Sequence, residues 1–107
     1  MKPEVSPLFR DASCRQQLLW RCDVSGPVAV SDLTEAMAAR GFARSPGPDV
    51  LMQWRHTTSD HAVLFVPSTG RTQVRLDAFT AKPERRAAAE GVFAAFQSAV
   101  ATLAEAA

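Results

Sequence analysis

The two histidines of the chain lie close together, in the segment RHTTSDH at residues 55–61. Imidazole can ligate a transition metal or exchange a proton near neutral pH. His56 and His61 flank four polar residues of the kind that form turns, which predicts a hairpin loop with the two histidines opposite each other. Directly opposite residues have Cβ atoms about 5 Å apart. A stable metal site needs three or four protein ligands, and Asp60 is the only further ligand type nearby. We interpret the segment as a structural hairpin end, with a metal site at His56, Asp60 and His61 as the alternative.

Other residues with reactive side chains lack the neighbours that catalysis requires. Ser59 and Ser68 are predicted in turns without the strand–turn–helix elbow that exposes a nucleophile, and PSTG at 67–70 lacks the lysine of a phosphate-binding loop. Cys14 and Cys22 match neither a metal motif nor a disulfide framework, which favours two reduced thiols. The sequence therefore favours a non-catalytic protein without a cofactor.

Hydrophobic periodicity predicts the elements that hold these residues. Alternation of apolar and polar residues indicates strands over 18–24, 50–57, 61–67 and 71–79. Helical spacing indicates a helix over 31–42, with Ser31 or Asp32 as its cap and Gly41 at its end, and a longer one from Pro83 to the C-terminus. In the predicted hairpin, Trp54 faces Val63.

The predicted fold class is α+β. The predicted order is β-α-β-β-β-α, giving a four-stranded, mainly antiparallel sheet with two helices packed on one face. Residues 1–16 are interpreted as an irregular N-terminal arm with one helical turn after Pro7, and 17–107 as a single α+β domain. The order is similar to that of several small modules, including secretion chaperones and adaptor-like domains, although no residue motif of theirs is found here.

Composition and charge narrow the classes of partner and location. Hydrophobic residues make up 47% and charged residues 21% of the 107 residues, which is ordinary for a globular protein. The net charge of +1 does not indicate a nucleic-acid or membrane partner. No fully apolar run approaches the roughly 18 residues of a membrane span, and residues 1–11 lack the apolar core of a signal peptide. We therefore expect a cytoplasmic protein.

The polar face of the predicted sheet is the main candidate site. It carries three arginines beside an apolar patch, and both exposed apolar patches and arginine are enriched at protein interfaces. The candidate interface residues are Leu19, Arg21, Arg55, Leu64, Val66 and Arg75. We expect a small binding module that contacts protein through this face or a sheet edge, either as a homodimer or as an adaptor- or chaperone-like protein.

Two other binding modes are alternatives. A small ligand could lie in a cleft between the long helix and the sheet, lined by Trp20, Met52, Trp54 and Phe96, although such residues usually form core. Binding of single-stranded nucleic acid needs aromatic platforms among basic residues. Both tryptophans fall on the inward face and the chain has no tyrosine, so the sequence disfavours a nucleic-acid partner.

Overall fold

A curled antiparallel sheet and two helices form the structure, which is a computed structural model that describes residues 2–12 and 15–106. The strands are β1 (Glu4–Val5), β2 (Phe9–Arg10), β3 (Leu19–Ser25), β4 (Phe42–Arg44), β5 (Met52–His56), β6 (Ala62–Phe65) and β7 (Arg71–Arg75). The helices are α1 (Val30–Ala38) and α2 (Arg85–Ala106), the second preceded by a 3-10 turn over Lys82–Glu84. The strand order is β1-β3-β7-β6-β5-β4, with β2 also paired to β3.

The α+β class and the predicted hairpin are confirmed. In the β5–β6 hairpin, Trp54 lies opposite Val63 and Met52 opposite Phe65. The backbone N–H of His56 donates to the carbonyl of His61 at 2.8 Å, so the two histidines close the end of this hairpin. The register holds because a shift of one residue would expose every apolar side chain of both strands.

The prediction of four strands is wrong, because three short strands were not recognised. β4 follows α1 directly and pairs with β5, with Phe42 opposite His56. Three residues are too few to show alternation, and Phe42 was assigned to the end of a helix instead. β1 and β2 pair with the free edge of β3, where Val5 lies opposite Val24 and Phe9 opposite Arg21. The helical turn predicted after Pro7 is therefore also wrong.

The first helix is shorter than predicted. It begins at Val30 after Ala29, and no side chain caps it, so the expected caps at Ser31 and Asp32 are not formed. It ends at Ala38, four residues before the predicted end. The left-handed residue expected after the helix is nevertheless Gly41, with a φ of +85°, a conformation that glycine accepts without steric cost. A Cβ on residue 41 would lie only 3.0 Å from Nε2 of His56, so the imidazole also favours glycine here.

Both helices pack on the inner face of the sheet and share one core with it. The largest fully buried side chains come from every layer, with Trp54 and Phe65 in the sheet, Leu33 and Met37 on α1, and Phe96 on α2. The ring centroid of Phe65 lies 6.2 Å from those of Trp54 and Phe96. Dense packing of this kind holds the sheet rigid and leaves its opposite face, the outer face, for other contacts.

The segment Lys82–Glu105 is long and apolar enough, by length and composition alone, to cross a membrane. Core helices pass the same test, and Ala89, Val92 and Phe96 on this helix lie in the core of the sheet. The radius of gyration is 13.0 Å, as expected for a folded domain of about 100 residues. The compact shape is consistent with a soluble protein.

Candidate functional site

Three rows of side chains cross the outer face, because Cα partners on adjacent strands point to the same side of a sheet. The first row is Leu19, Arg75, Ala62 and Arg55. The second row is Phe9, Arg21, Gln73, Leu64 and Gln53. The third row is Asp23, Arg71 and Val66, since the N–H of Val66 donates to the carbonyl of Arg71. Leu51, just before β5, lines the same groove as these residues. The sheet thus places every sequence-predicted interface residue on one surface.

The central strand of this surface lies between long polar side chains and is nearly buried. Ala62, which lies between Arg55 and Arg75, is 3% exposed, and Leu64 is 9% exposed. Arginine commonly lays its aliphatic stem over apolar surface and keeps its charge in water. The apolar patch expected from β6 is therefore less accessible than the sequence indicated, and Leu19 and Val66 are half-buried as well.

The accessible apolar groups of the outer face lie instead at the two ends of a groove. Phe9 is 49% exposed and Leu51 is 46% exposed. Both line a groove of about 610 Å³, whose remaining walls are Arg21, Cys22, Asp23, Leu64, Val66, Arg71, Thr72, Gln73 and Arg75. Phe9 was not among the predicted interface residues, because the arm that carries it gave no strand signal.

The charge of the groove is mainly positive. Three arginines and one aspartate line it. Arg21 forms an ion pair with Asp11 at 2.6 Å, and Asp11 is only 7% exposed. Within residues 2–12 and 15–106, no carboxylate lies within 4.0 Å of the guanidinium groups of Arg71 or Arg75, nor of Arg55, which shares the first row with Arg75. These three cations are therefore available to an external anion.

The thiol in this region is unreactive. Burial raises the pKa of Cys22 to about 12, a hydrogen bond with Thr72 lowers it to a lesser degree, and the charge of Asp23 raises it further. Since the thiolate is the nucleophile, a thiol with this pKa stays inert at neutral pH. Cys14, the other predicted reduced thiol, lies outside the described residues.

Hydrogen bonds at both histidines oppose metal ligation. The N–H of Ser59 donates to Nδ1 of His56 at 3.2 Å, and the N–H of Asp77 donates to Nδ1 of His61 at 3.0 Å. A neutral imidazole that accepts at Nδ1 carries its proton on Nε2. A metal-ligating histidine has the reverse arrangement, with its second nitrogen as a donor.

The metal alternative at His56, Asp60 and His61 gains no support from the ligand geometry. In the described part of the chain, no three His, Cys, Asp or Glu residues are grouped closely enough to hold a metal ion. Burial lowers the pKa of His61, an effect that the charge of Asp77 partly offsets. His61 is thus held in the neutral form that its bond to Asp77 requires.

A hydrogen-bonded turn after β7 carries the most exposed large apolar residue of the described part of the chain. Phe79 is 94% exposed. It is the third residue of the turn Asp77–Thr80, in which the N–H and hydroxyl of Thr80 both donate to the carbonyl of Asp77, at 3.0 and 2.7 Å. The sequence prediction placed Phe79 inside a strand. Asp at the first position of a four-residue turn was the signal available for the correct assignment.

The four candidate residues of a ligand cleft are core residues. Trp20 is 5% exposed, and Met52, Trp54 and Phe96 are 1% exposed or less. Trp54 is fixed further by its indole N–H, which donates to the hydroxyl of Thr34 at 3.3 Å. These side chains therefore fill the space between the long helix and the sheet, where a ligand cleft was the alternative prediction.

Comparison with known proteins gave no match. No family model matches the chain, and neither a curated protein nor a solved structure is significantly similar to it. The function is therefore inferred from the geometry of the outer face.

Proposed function

We propose that this protein is a non-catalytic binding module whose outer sheet face holds an extended, acidic segment of a partner protein. The observation that carries the proposal is the groove between Phe9 and Leu51, in which Arg71 and Arg75 lack a carboxylate partner among the described residues. Apolar contacts at both ends and cations between them fit a segment in which apolar and acidic residues are interspersed.

The chemistry of arginine supports a carboxylate partner. A guanidinium group binds a carboxylate through two parallel hydrogen bonds, and such bonds are about twice as strong as neutral ones. Arg55 and Arg75 lie on either side of Ala62, so carboxylates could reach both cations from above the middle of the sheet. Arginine and aromatic residues also account for much of the binding energy at protein interfaces.

Charge makes a second copy of the chain a poorer occupant than an acidic segment. In a two-fold symmetric dimer the same patch faces itself. Arg55, Arg71 and Arg75 would then face their own copies, and Asp23 is the one acidic residue among the groove-lining residues. Like charges that face each other directly across an interface weaken binding by about 2 kcal/mol or more. A homodimer is the second outcome that the experiments below would detect.

The proposal can be tested by selecting binders from a phage library that displays short random peptides. Peptides would be selected on the wild-type protein and counter-selected on the variant Arg71→Glu, Arg75→Glu. We expect the enriched peptides to carry carboxylates beside apolar residues, and their binding to weaken as salt is raised from about 0.05 M to about 0.5 M.

A matched control separates a local effect from a change in net charge. The variant Lys2→Glu, Arg86→Glu alters the net charge equally at two exposed positions that do not line the groove. It should bind the selected peptides as the wild type does. Enrichment of basic or uncharged peptides, or equal loss of binding in both double variants, would contradict the proposal. A dimer found by light scattering that Arg71→Glu, Arg75→Glu dissociates would assign the face to self-association instead.

A further inference from the structure

Phe79 exposes an aromatic ring that the fold itself does not use. Its ring is 94% exposed, whereas the other described phenylalanines are at most about half exposed. Scattered exposed apolar residues are normal on a protein surface. Phe79 differs because the backbone of its turn is held in place by three sets of hydrogen bonds.

The first two restraints come from the turn and from α2. The turn closes on itself through the two bonds that Thr80 donates to the carbonyl of Asp77. Nε of Arg85 donates to the carbonyl of Thr80 at 2.9 Å, and a second nitrogen of the same guanidinium donates to the carbonyl of Gln16 at 2.6 Å. Arg85 thereby ties the turn to the segment before β3. This bonding also explains why an arginine is found at a helix start, where the dipole disfavours it.

The third restraint is His61. Nδ1 of His61 accepts the N–H of Asp77, the first residue of the turn, at 3.0 Å. An imidazolium has no acceptor nitrogen, so protonation of His61 removes this bond. The ionisable groups that face His61 are His56, Asp60 and Asp77. Arg40 lines a shallow cleft that His56, His61 and Gly91 also line.

The turn continues directly from the outer face. Arg75, in the first row, lies two residues before Asp77, and Phe79 follows two residues later. An aromatic residue presented by a rigid turn loses little conformational entropy on binding.

We propose that Phe79 is the aromatic anchor of the docking surface and that His61, as a positioning residue, holds its turn in the binding conformation. This inference rests on the proposed function. An apolar residue of the bound acidic segment packs against the Phe79 ring beyond the first row, while the carboxylates of the segment bind the arginines. Acidification weakens binding because it removes the acceptor for the N–H of Asp77.

The peptides selected on the wild-type protein are the probe for this experiment. Their dissociation constants would be measured at about pH 7.5 and about pH 5.5, where peptide carboxylates stay ionised. At pH 7.5, Phe79→Ser should weaken binding at least about tenfold. Val50→Ser, a matched control at a 73% exposed residue outside the groove lining, should change it less than about twofold.

The pH profile separates positioning from a general structural role. The wild type should bind more weakly at pH 5.5, and His61→Gln, whose side-chain carbonyl can still accept from Asp77, should bind with little pH dependence. The inference is overturned if Phe79→Ser binds within about twofold of the wild type, or if His61→Gln keeps the full pH dependence.

Failure of this inference is distinguishable from failure of the proposed function. If the double variant Arg71→Glu, Arg75→Glu abolishes binding and Phe79→Ser does not, the proposed function holds and the inference about Phe79 is wrong. If wild-type protein binds vesicles containing phosphatidylglycerol, and Phe79→Ser loses that binding but keeps its peptide affinity, the ring contacts a membrane and the inference is wrong.

Discussion

The two faces of the sheet are built from the same strands and have opposite properties. On the inner face, Trp54 and Phe65 are 0% and 1% exposed and are packed against the helices. On the outer face, Ala62 and Leu64 are almost as buried, but their neighbours on the adjacent strands are arginine and glutamine residues. A packed layer cannot open without losing stability, whereas flexible polar side chains can move aside for a partner. Burial alone therefore does not distinguish the core on the inner face from the proposed binding surface on the outer face.

The largest expected difference between the faces is in stability. Phe96→Ala should lower the free energy of unfolding by about 3–5 kcal/mol, because it leaves a cavity beneath Phe65 and loses a fully buried ring. Phe79→Ala, the same change at a 94% exposed position, should alter it by less than about 0.5 kcal/mol. Urea denaturation of the two variants measures both values. Similar losses in both would mean that Phe79 is part of the core.

An intermediate loss is expected at the covered strand of the outer face. Leu64→Ala should cost about 2 kcal/mol, because Leu64 is 9% exposed beneath Gln53 and Gln73. Leu51→Ala, at the end of the groove and 46% exposed, should cost less than about 1 kcal/mol. Thermal or urea unfolding compares them. If Leu64→Ala cost no more than Leu51→Ala, the polar cover would not exclude water, and the outer face would be an open apolar patch after all.

Acid should destabilise the end of the β5–β6 hairpin, where His61 lies. Burial lowers the pKa of His61 below the 6.5 of an unfolded chain. His61 therefore contributes stability that is fully present above about pH 6.5 and is lost as the pH falls through its folded-state pKa. The difference in unfolding free energy between wild type and His61→Gln should shrink or reverse over that interval. A difference that stays constant from pH 8 to pH 5 (about the range in which histidine titrates) would contradict the assigned tautomer.

The smallest expected effect on stability is at the unpaired arginines. Arg71→Gln and Arg75→Gln should each change the unfolding free energy by less than about 0.5 kcal/mol, since neither guanidinium has a carboxylate within 4.0 Å in the described part of the chain. Arg21→Gln should cost more, because it removes the 2.6 Å ion pair that Arg21 forms with the nearly buried Asp11. Equal stabilities of the three variants would show that the Asp11 pair contributes nothing.

Sequence periodicity predicted the parts of the fold in which one physical signal dominates. The β5–β6 register followed from the alternation around Trp54 and Val63, and the left-handed residue after α1 was correctly placed at Gly41. The strands of two or three residues, such as β2 at Phe9, were missed because they are too short for a period and depend on pairing with β3. Edge pairing of this kind is tertiary, and no local pattern encodes it.

The candidate site was predicted only in outline, for a similar reason. Alternation identified Arg55 and Arg75 as outward-facing, which the register confirms. It could not show that Ala62 between them is buried, or that β7 ends before Phe79 and leaves that ring in solvent. Both facts depend on how far a strand is paired, and pairing depends on its neighbours.

Amide chemical-shift mapping tests the central claim most directly. A peptide selected on the wild-type protein would be titrated into isotopically labelled protein, and the shifted amides would be located on the fold. The proposed function predicts that the largest shifts fall in β3, β6 and β7 along the three rows, around Arg71 and Arg75. Shifts concentrated at the cleft between His56 and Gly91, or along the exposed side of α2, would contradict it.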